Sequence, residues 1–143
     1  MIQRLVPVFI FFSGLMFAAE RPTVIVLTGA PGSEEYGRLF SKWTEQWKEA
    51  AAKGAADFHH IDKPKDGTTK KAAQKLITAQ ASEAKSPLWI VLIGHGTFDG
   101  KKAKFNLQGP DLEAGELAKW LKDSQRPTAI INCTSSSAPF LPA

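Results

Sequence analysis

The sequence is poor in cysteine, in charge of one sign and in long apolar runs. Its 143 residues include one cysteine, so the chain cannot close an internal disulfide. Its 18 basic and 14 acidic residues leave a net charge of +4, which is too small to indicate a nucleic acid or a membrane surface as partner. The apolar run Leu5–Phe17 is too short to cross a membrane comfortably.

The first 19 residues have the organisation of a secretory signal. Arg4 supplies a positive charge, Leu5–Phe17 is apolar, and Ala18 and Ala19 supply small residues for cleavage. We therefore predict a signal peptide at 1–19, a single mature domain at 20–143, and export to a periplasmic or extracellular compartment. An uncleaved N-terminal anchor is the alternative.

Apolar patterns alternate between strand and helix along the mature chain. They predict strands at 23–27, 55–61, 88–93 and 128–132, with a helix in each interval and a small hairpin arm at 103–107 inside the last one. Ser33 and Asp111 are predicted to cap the first and third helices, Gly54 to end the first, and residues 94–100 to form a loop. This alternation is typical of an α/β, three-layer sandwich around a parallel sheet of about four strands.

The stretch after the last predicted strand is short. Ten residues follow Cys133, including Pro139 and Pro142, and they predict no helix. Because a parallel strand is normally covered on both faces of its sheet, we expect the C-terminal part of the sheet to be missing. Another segment or a partner subunit would then complete the domain.

Two reactive side chains stand where predicted strands end. His95 follows one apolar run in Gly94-His95-Gly96, and Cys133 ends another. Because the carboxyl ends of parallel strands meet at one edge of a sheet, a histidine base and a cysteine nucleophile can meet there. The backbone N–H groups of Gly96 and Cys133 are the candidate oxyanion donors. A buried, inert cysteine is the alternative, and Asp99 is either a turn former or a third member that orients the histidine.

These residues resemble the caspase-like cysteine peptidases, the clan of caspases, metacaspases, legumains and gingipains. In that clan a His-Gly pair closes one strand and the nucleophile closes the next. Here His95 and Cys133 are 38 positions apart (133 − 95), which suits one crossover helix. Residues 66–70 and 105–112 also resemble the family pattern, and the resemblance covers most of 23–137.

The resemblance implies a caspase-like endopeptidase that acts through a thioester acyl-enzyme on a peptide or protein substrate. His95 would be the base and Cys133 the nucleophile, and this chemistry needs no metal or organic cofactor. The sequence departs from the family in lacking the glycine after Cys-x-Ser and in having Asn132 before the cysteine. It also lacks the later strands, so the resemblance implies a specificity pocket formed mostly beyond Ala143. A non-catalytic domain that binds a peptide or a partner subunit is the alternative.

Three further patterns suggest other chemistry less specifically. Residues 29–33 resemble a phosphate loop but lack the Gly-Lys-Ser/Thr ending. His59 and His60 point to opposite faces of a predicted strand and rarely share one metal ion. Ser135–Ser137 lack the Gly-x-Ser-x-Gly elbow of a serine hydrolase.

Overall fold

The computed structural model describes residues 20–63, 68–83 and 85–140. The predicted signal peptide lies outside these ranges, as do residues 66 and 67 of the family-like stretch 66–70. In chain order the described elements are β1 (Thr23–Thr28), α1 (Glu34–Lys53), β2 (Asp57–Ile61), α2 (Thr69–Glu83), β3 (Leu88–Ile93), β4 (Gly96–Phe98), β5 (Ala103–Phe105), β6 (Leu112–Glu113), α3 (Ala114–Leu121), β7 (Thr128–Asn132) and a single turn of 3₁₀ helix (Ala138–Phe140). The prediction of no helix after Cys133 was wrong for this turn.

The main sheet has four parallel strands in the order β2-β1-β3-β7. The α/β class and the four predicted strands are therefore confirmed. A second, antiparallel sheet joins β4, β5 and β6. The prediction of a loop at 94–100 was therefore wrong for β4. The predicted hairpin arm at 103–107 is confirmed by β5. Within the described ranges no strand pairs with the outer edge of β7.

Side chains alternate between the two faces of the main sheet and divide the core in two. One cluster joins Ile25, Leu27, Leu88, Ile90 and Leu92 to the apolar sides of α2 and α3 and to the small sheet. The other cluster lies under α1 and includes the following strand and helix residues: Val24, Val26, Val91, Ile93, Phe40 and Ala51. The described part of the molecule thus has three layers, with one helix on one face of the sheet and two on the other.

The helix boundaries agree with the sequence in part. Ser33 caps α1 as predicted, since its hydroxyl accepts a hydrogen bond from the Tyr36 N–H at 3.3 Å. The prediction that Asp111 caps α3 was wrong. Asp111 instead accepts a hydrogen bond from the Leu107 N–H, and Glu113 is the N-cap, with its N–H donated to the Glu116 carboxylate. A carboxylate three residues into a helix satisfies one of the N–H groups left free at its start.

Helix α1 ends at Gly54 as predicted, but without a left-handed glycine. Gly54 follows the helix as predicted, but its φ is −83° and any residue can adopt that conformation. The left-handed conformation falls on the next residue, Ala55, with a φ of 51°. A left-handed residue other than glycine is strained by its Cβ, so the chain carries this strain at Ala55.

A buried arginine joins the amino-terminal ends of the strands. The Arg126 side chain donates to the carbonyls of Gln80, Ser86 and Pro87 and to the hydroxyls of Thr23 and Ser86, at 2.6–3.1 Å. It is only 5% exposed, and burial lowers the pKa of its guanidinium. This network ties β1, β3 and β7 together at the end of the sheet opposite their carboxyl ends. No helix in the described ranges is both long and apolar enough to span a bilayer.

Candidate active site

His95 and Cys133 lie at the carboxyl ends of neighbouring strands, on the same face of the sheet. Strands β3 and β7 pair in parallel up to Leu92 and Asn132, and the Cys133 N–H continues the ladder by donating to the Leu92 carbonyl at 3.0 Å. Cys133 lies two residues after Ile131, which packs in the cluster under α1. Its thiol is therefore on the α1 face, where it lines a cavity with Ile93.

The His95 ring is held by helix α1 and by the loop after β1. The ring lies edge-on to Tyr36, with centroids 4.5 Å apart, and 5.4 Å from Phe40. Its Nε2 lies 3.1 Å from the carbonyl oxygen of Pro31. A carbonyl oxygen only accepts hydrogen bonds, so Nε2 carries the proton and the neutral ring keeps its lone pair at Nδ1. The protein thus selects the tautomer in which Nδ1 can act as a base.

Two glycines allow the ends of β1 and β3 to approach each other closely next to the histidine. A Cβ on Gly29 would lie 2.5 Å from the Asn106 carbonyl oxygen, and one on Gly94 would lie 2.8 Å from the Phe105 ring and 3.1 Å from the Gly29 Cα. The ends of β1 and β3 therefore touch, backbone to backbone, above Phe105. The N–H groups of residues 29 and 30 donate to the carbonyls of Ile93 and Asn106, so this loop binds the protein's own backbone in the place where a phosphate loop would present free N–H groups.

The Cys133 thiol is exposed beside an apolar wall. Burial of part of its surface raises the pKa of the thiol above its ordinary value. A raised pKa keeps the thiol protonated near neutral pH, since burial disfavours the thiolate. The side chain therefore needs a base to become a nucleophile, which is the role that the free Nδ1 of His95 can fill.

Gly96 offers a backbone donor on the open side of β4. In the β4–β5 hairpin the Asn106 N–H donates to the His95 carbonyl, and the Asp99 N–H donates to the Lys102 carbonyl. Hydrogen-bonded pairs alternate along an antiparallel ladder, so the Gly96 N–H and C=O, between these two bonds, point away from β5. The Gly96 N–H is thus not used in the β4–β5 ladder. The Cys133 N–H, the other predicted donor, is already donated to Leu92.

The loop after Cys133 packs directly on Gly96. The Ser135 hydroxyl donates to the Gly96 carbonyl at 3.1 Å. A Cβ on Gly96 would lie 2.7 Å from the Thr134 Oγ1 and 3.2 Å from the Ser136 N. The Asn132 side-chain oxygen accepts the Thr134 N–H at 3.0 Å, which turns the chain at the end of β7. The residues next to the base and the residues next to the nucleophile are therefore in contact.

The remaining sequence candidates have structural roles. Asp99 accepts the N–H groups of Lys101 and Lys102, and these bonds lower the pKa of its carboxyl, so it shapes its own turn. The His60 Nε2 lies 2.8 Å from the Thr28 hydroxyl, and burial lowers the pKa of this histidine. Across the described ranges no three His, Cys, Asp or Glu side chains gather as a metal site.

Sequence reasoning missed the partner of the histidine. The Pro31 carbonyl is a backbone group, so no pattern of side chains in the sequence predicts its contact with His95. Two aromatic side chains of α1 are partly exposed where the helix borders the candidate site: Tyr36 is 44% exposed and Trp43 39% exposed. Trp89 on β3 is also 39% exposed.

Comparison with protein-family models, with curated proteins and with solved structures finds no match to this chain. The α/β class and the parallel four-stranded sheet therefore rest on the structure itself, and any activity must be argued from the site.

Proposed function

We propose that this chain is a caspase-like cysteine endopeptidase domain that uses His95 as base and Cys133 as nucleophile. One observation carries the proposal: the His95 ring is fixed by the Pro31 carbonyl in the tautomer that leaves Nδ1 free, on the sheet face and at the sheet edge where Cys133 ends the neighbouring strand. A backbone carbonyl here takes the orienting role that a carboxylate has in other triads.

The chemistry follows from these groups. Nδ1 of His95 takes the thiol proton as Sγ attacks the scissile carbonyl carbon, and the carbonyl oxygen becomes an oxyanion held by the Gly96 N–H. The protonated imidazole then gives its proton to the leaving amine, and the C–N bond breaks to leave a thioester on Cys133. Water, deprotonated by the same imidazole, hydrolyses the thioester and returns the thiol.

Gly96 is the proposed main oxyanion donor. The Cys133 N–H contributes only if it leaves the Leu92 carbonyl, to which it donates in the structure. Removal of a single oxyanion donor typically costs about 10²–10³-fold in rate. The contact between Gly96 and the loop after Cys133 supports the proposal, because it holds the candidate donor next to the segment that carries the nucleophile.

The test is covalent labelling by a peptidyl acyloxymethyl ketone, which reacts with a thiol activated by a base. We expect the full chain to be labelled at Cys133, Cys133→Ala to be unlabelled, and His95→Ala to react roughly 10²–10⁴-fold more slowly. His59→Ala is the matched control, since His59 lies on β2 and should leave the rate unchanged. A folded wild-type chain that is not labelled, or a His95→Ala chain labelled at the wild-type rate, would refute the enzyme proposal.

A non-catalytic domain that binds a peptide or a partner subunit is the second candidate. The unpaired outer edge of β7 in the described ranges and the exposed Trp89 favour it, since an extended segment can add a strand to a free edge. The same labelling experiment separates the two candidates: a binding domain should give no activity-dependent labelling, and its Cys133→Ala variant should keep its affinity for the partner.

A further inference from the structure

A cavity of about 400 Å³ opens directly beside the Cys133 thiol. It lies between α1 and the ends of β3 and β7, and its volume is within the range of roughly 300–1,000 Å³ that is usual for sites that bind small molecules or side chains. Its walls are formed by the following residues: Trp43, Gln46, Trp47, Ala50, Ile93 and Cys133.

The described wall of this cavity is mostly apolar, and none of its side chains is charged. Trp43 and Trp47 stand one turn apart on α1 and both line the cavity, as does Ile93 at the end of β3. Gln46 and the thiol add polar groups to the described lining. An ion placed here would lose water without gaining an opposite charge from these residues, whereas an apolar group would gain by leaving water.

The position of the cavity relative to the reacting groups defines its occupant. Cys133 belongs to its wall, while His95 packs on Tyr36 and Phe40, one to two turns earlier in the same helix. Consider a substrate whose scissile carbonyl carbon lies over the thiol and whose carbonyl oxygen points towards Gly96. The side chain of the residue that supplies this carbonyl can then reach into the cavity.

We infer that the cavity beside Cys133 is a specificity pocket that takes a large apolar or aromatic side chain of the substrate residue supplying the scissile carbonyl. The inference rests on the proposed function and names its substrate class. It also changes the sequence-based expectation that the pocket is formed mostly beyond Ala143, because α1 and β3 already supply an apolar wall.

The test uses a series of peptidyl acyloxymethyl ketones that differ only in the residue next to the reactive group: Phe, Leu, Ala, Asp or Lys. The measurement is the second-order rate constant for labelling of Cys133, followed by intact mass. We expect the Phe and Leu probes to react at least tenfold faster than Ala, and the Asp and Lys probes to react roughly 10²-fold more slowly than Phe. Trp43→Ala should reduce the preference for Phe over Ala about tenfold.

A charge placed in the wall should change the preference in a predictable direction. Gln46 is exposed, so Gln46→Glu is compatible with folding, and it should raise the Lys rate relative to the Asp rate by about tenfold, while Gln46→Lys should do the reverse. Gln74→Glu is the matched control, because Gln74 is an exposed residue of α2 on the opposite layer and should change no ratio.

The outcomes separate this inference from the proposed function. Two results would overturn the apolar pocket and leave the enzyme proposal standing. One is that Cys133 is labelled fastest by the Asp or Lys probe. The other is that the ratio of the Lys rate to the Asp rate is the same in Gln46→Glu as in Gln74→Glu. Failure of every probe to label the folded wild-type chain would overturn both.

Discussion

Replacement of Gly96 by alanine is the sharpest test of the contact between the base and the nucleophile loop. The added Cβ would meet Thr134 at Oγ1 (2.7 Å) and Cβ (3.0 Å), and Ser136 at its backbone N (3.2 Å). The shortest of these distances is one that real Cβ atoms essentially never show, so the loop after Cys133 must move. The same loop donates the Ser135 hydroxyl to the Gly96 carbonyl, and this bond would be disturbed as well.

The expected cost follows from the number and kind of close contacts. Overpacking of a well-filled site costs about 1–3 kcal/mol in the free energy of unfolding. Two of the three close atoms belong to Thr134, and its buried Oγ1 makes no hydrogen bond with the described residues. Thr134→Ala alone therefore breaks no side-chain hydrogen bond within the described ranges. In the Gly96→Ala background, Thr134→Ala removes the closest contact, while the contacts at the Thr134 Cβ and the Ser136 N remain. We therefore expect Thr134→Ala to recover about 1 kcal/mol of the free energy of unfolding in that background.

The assay is urea unfolding of the two single variants and the double variant, read as a double-mutant cycle. The expected coupling energy is about 1 kcal/mol, well above the roughly 0.3–0.5 kcal/mol seen for independent sites. Gly115→Ala is the matched control: a Cβ at this position in α3 meets nothing within 4 Å, and alanine should stabilise the helix by about 0.5–1 kcal/mol. Labelling of Cys133 should also slow in Gly96→Ala, because a displacement of 1 Å costs about 10²-fold.

The reasoning would fail if Gly96→Ala stabilised the chain as Gly115→Ala does. It would also fail if the effects of Gly96→Ala and Thr134→Ala simply added. Either result would mean that the loop after Cys133 does not rest on Gly96.

Three further predictions concern the rest of the molecule. Arg126→Met should lower the free energy of unfolding by roughly 3–5 kcal/mol in a urea titration, because it strands several buried acceptors; a loss below about 1 kcal/mol would contradict the network. Ala55→Gly should raise that free energy by about 1 kcal/mol, since glycine adopts a φ of 51° without strain, and no gain would show that the strain is absent. Because burial raises the pKa of the Cys133 thiol, iodoacetamide should alkylate it more slowly at pH 7–8 in the folded chain than in the urea-unfolded chain. The pH at which the alkylation rate is half-maximal should also be higher in the folded chain. A lower half-maximal pH in the folded chain would indicate a preformed thiolate instead.

The class of fold could be predicted because three of the four main strands, β1, β3 and β7, are short, largely apolar runs bounded by turns. A run such as 88–93, which is apolar on both faces, is typical of a strand covered on both sides in a parallel sheet. The small sheet was predicted less well: β4 has three residues, and its pairing with β5 depends on contacts across a loop. The cap of α3 was misplaced because Asp111 and Glu113 are both able to cap, and the backbone geometry around Leu107 decides between them.

The sequence by itself determined that a histidine and the single cysteine follow two apolar, strand-forming runs, because these runs and the glycines beside His95 are local features. Only the tertiary structure decided that the two residues share the α1 face, since this depends on the order β1-β3-β7 and on the register of the last two strands. It alone also placed the Pro31 carbonyl on the His95 ring and the two indoles beside the thiol. A backbone carbonyl and an empty space carry no signature in an amino-acid sequence, and they arise only when distant segments pack against each other.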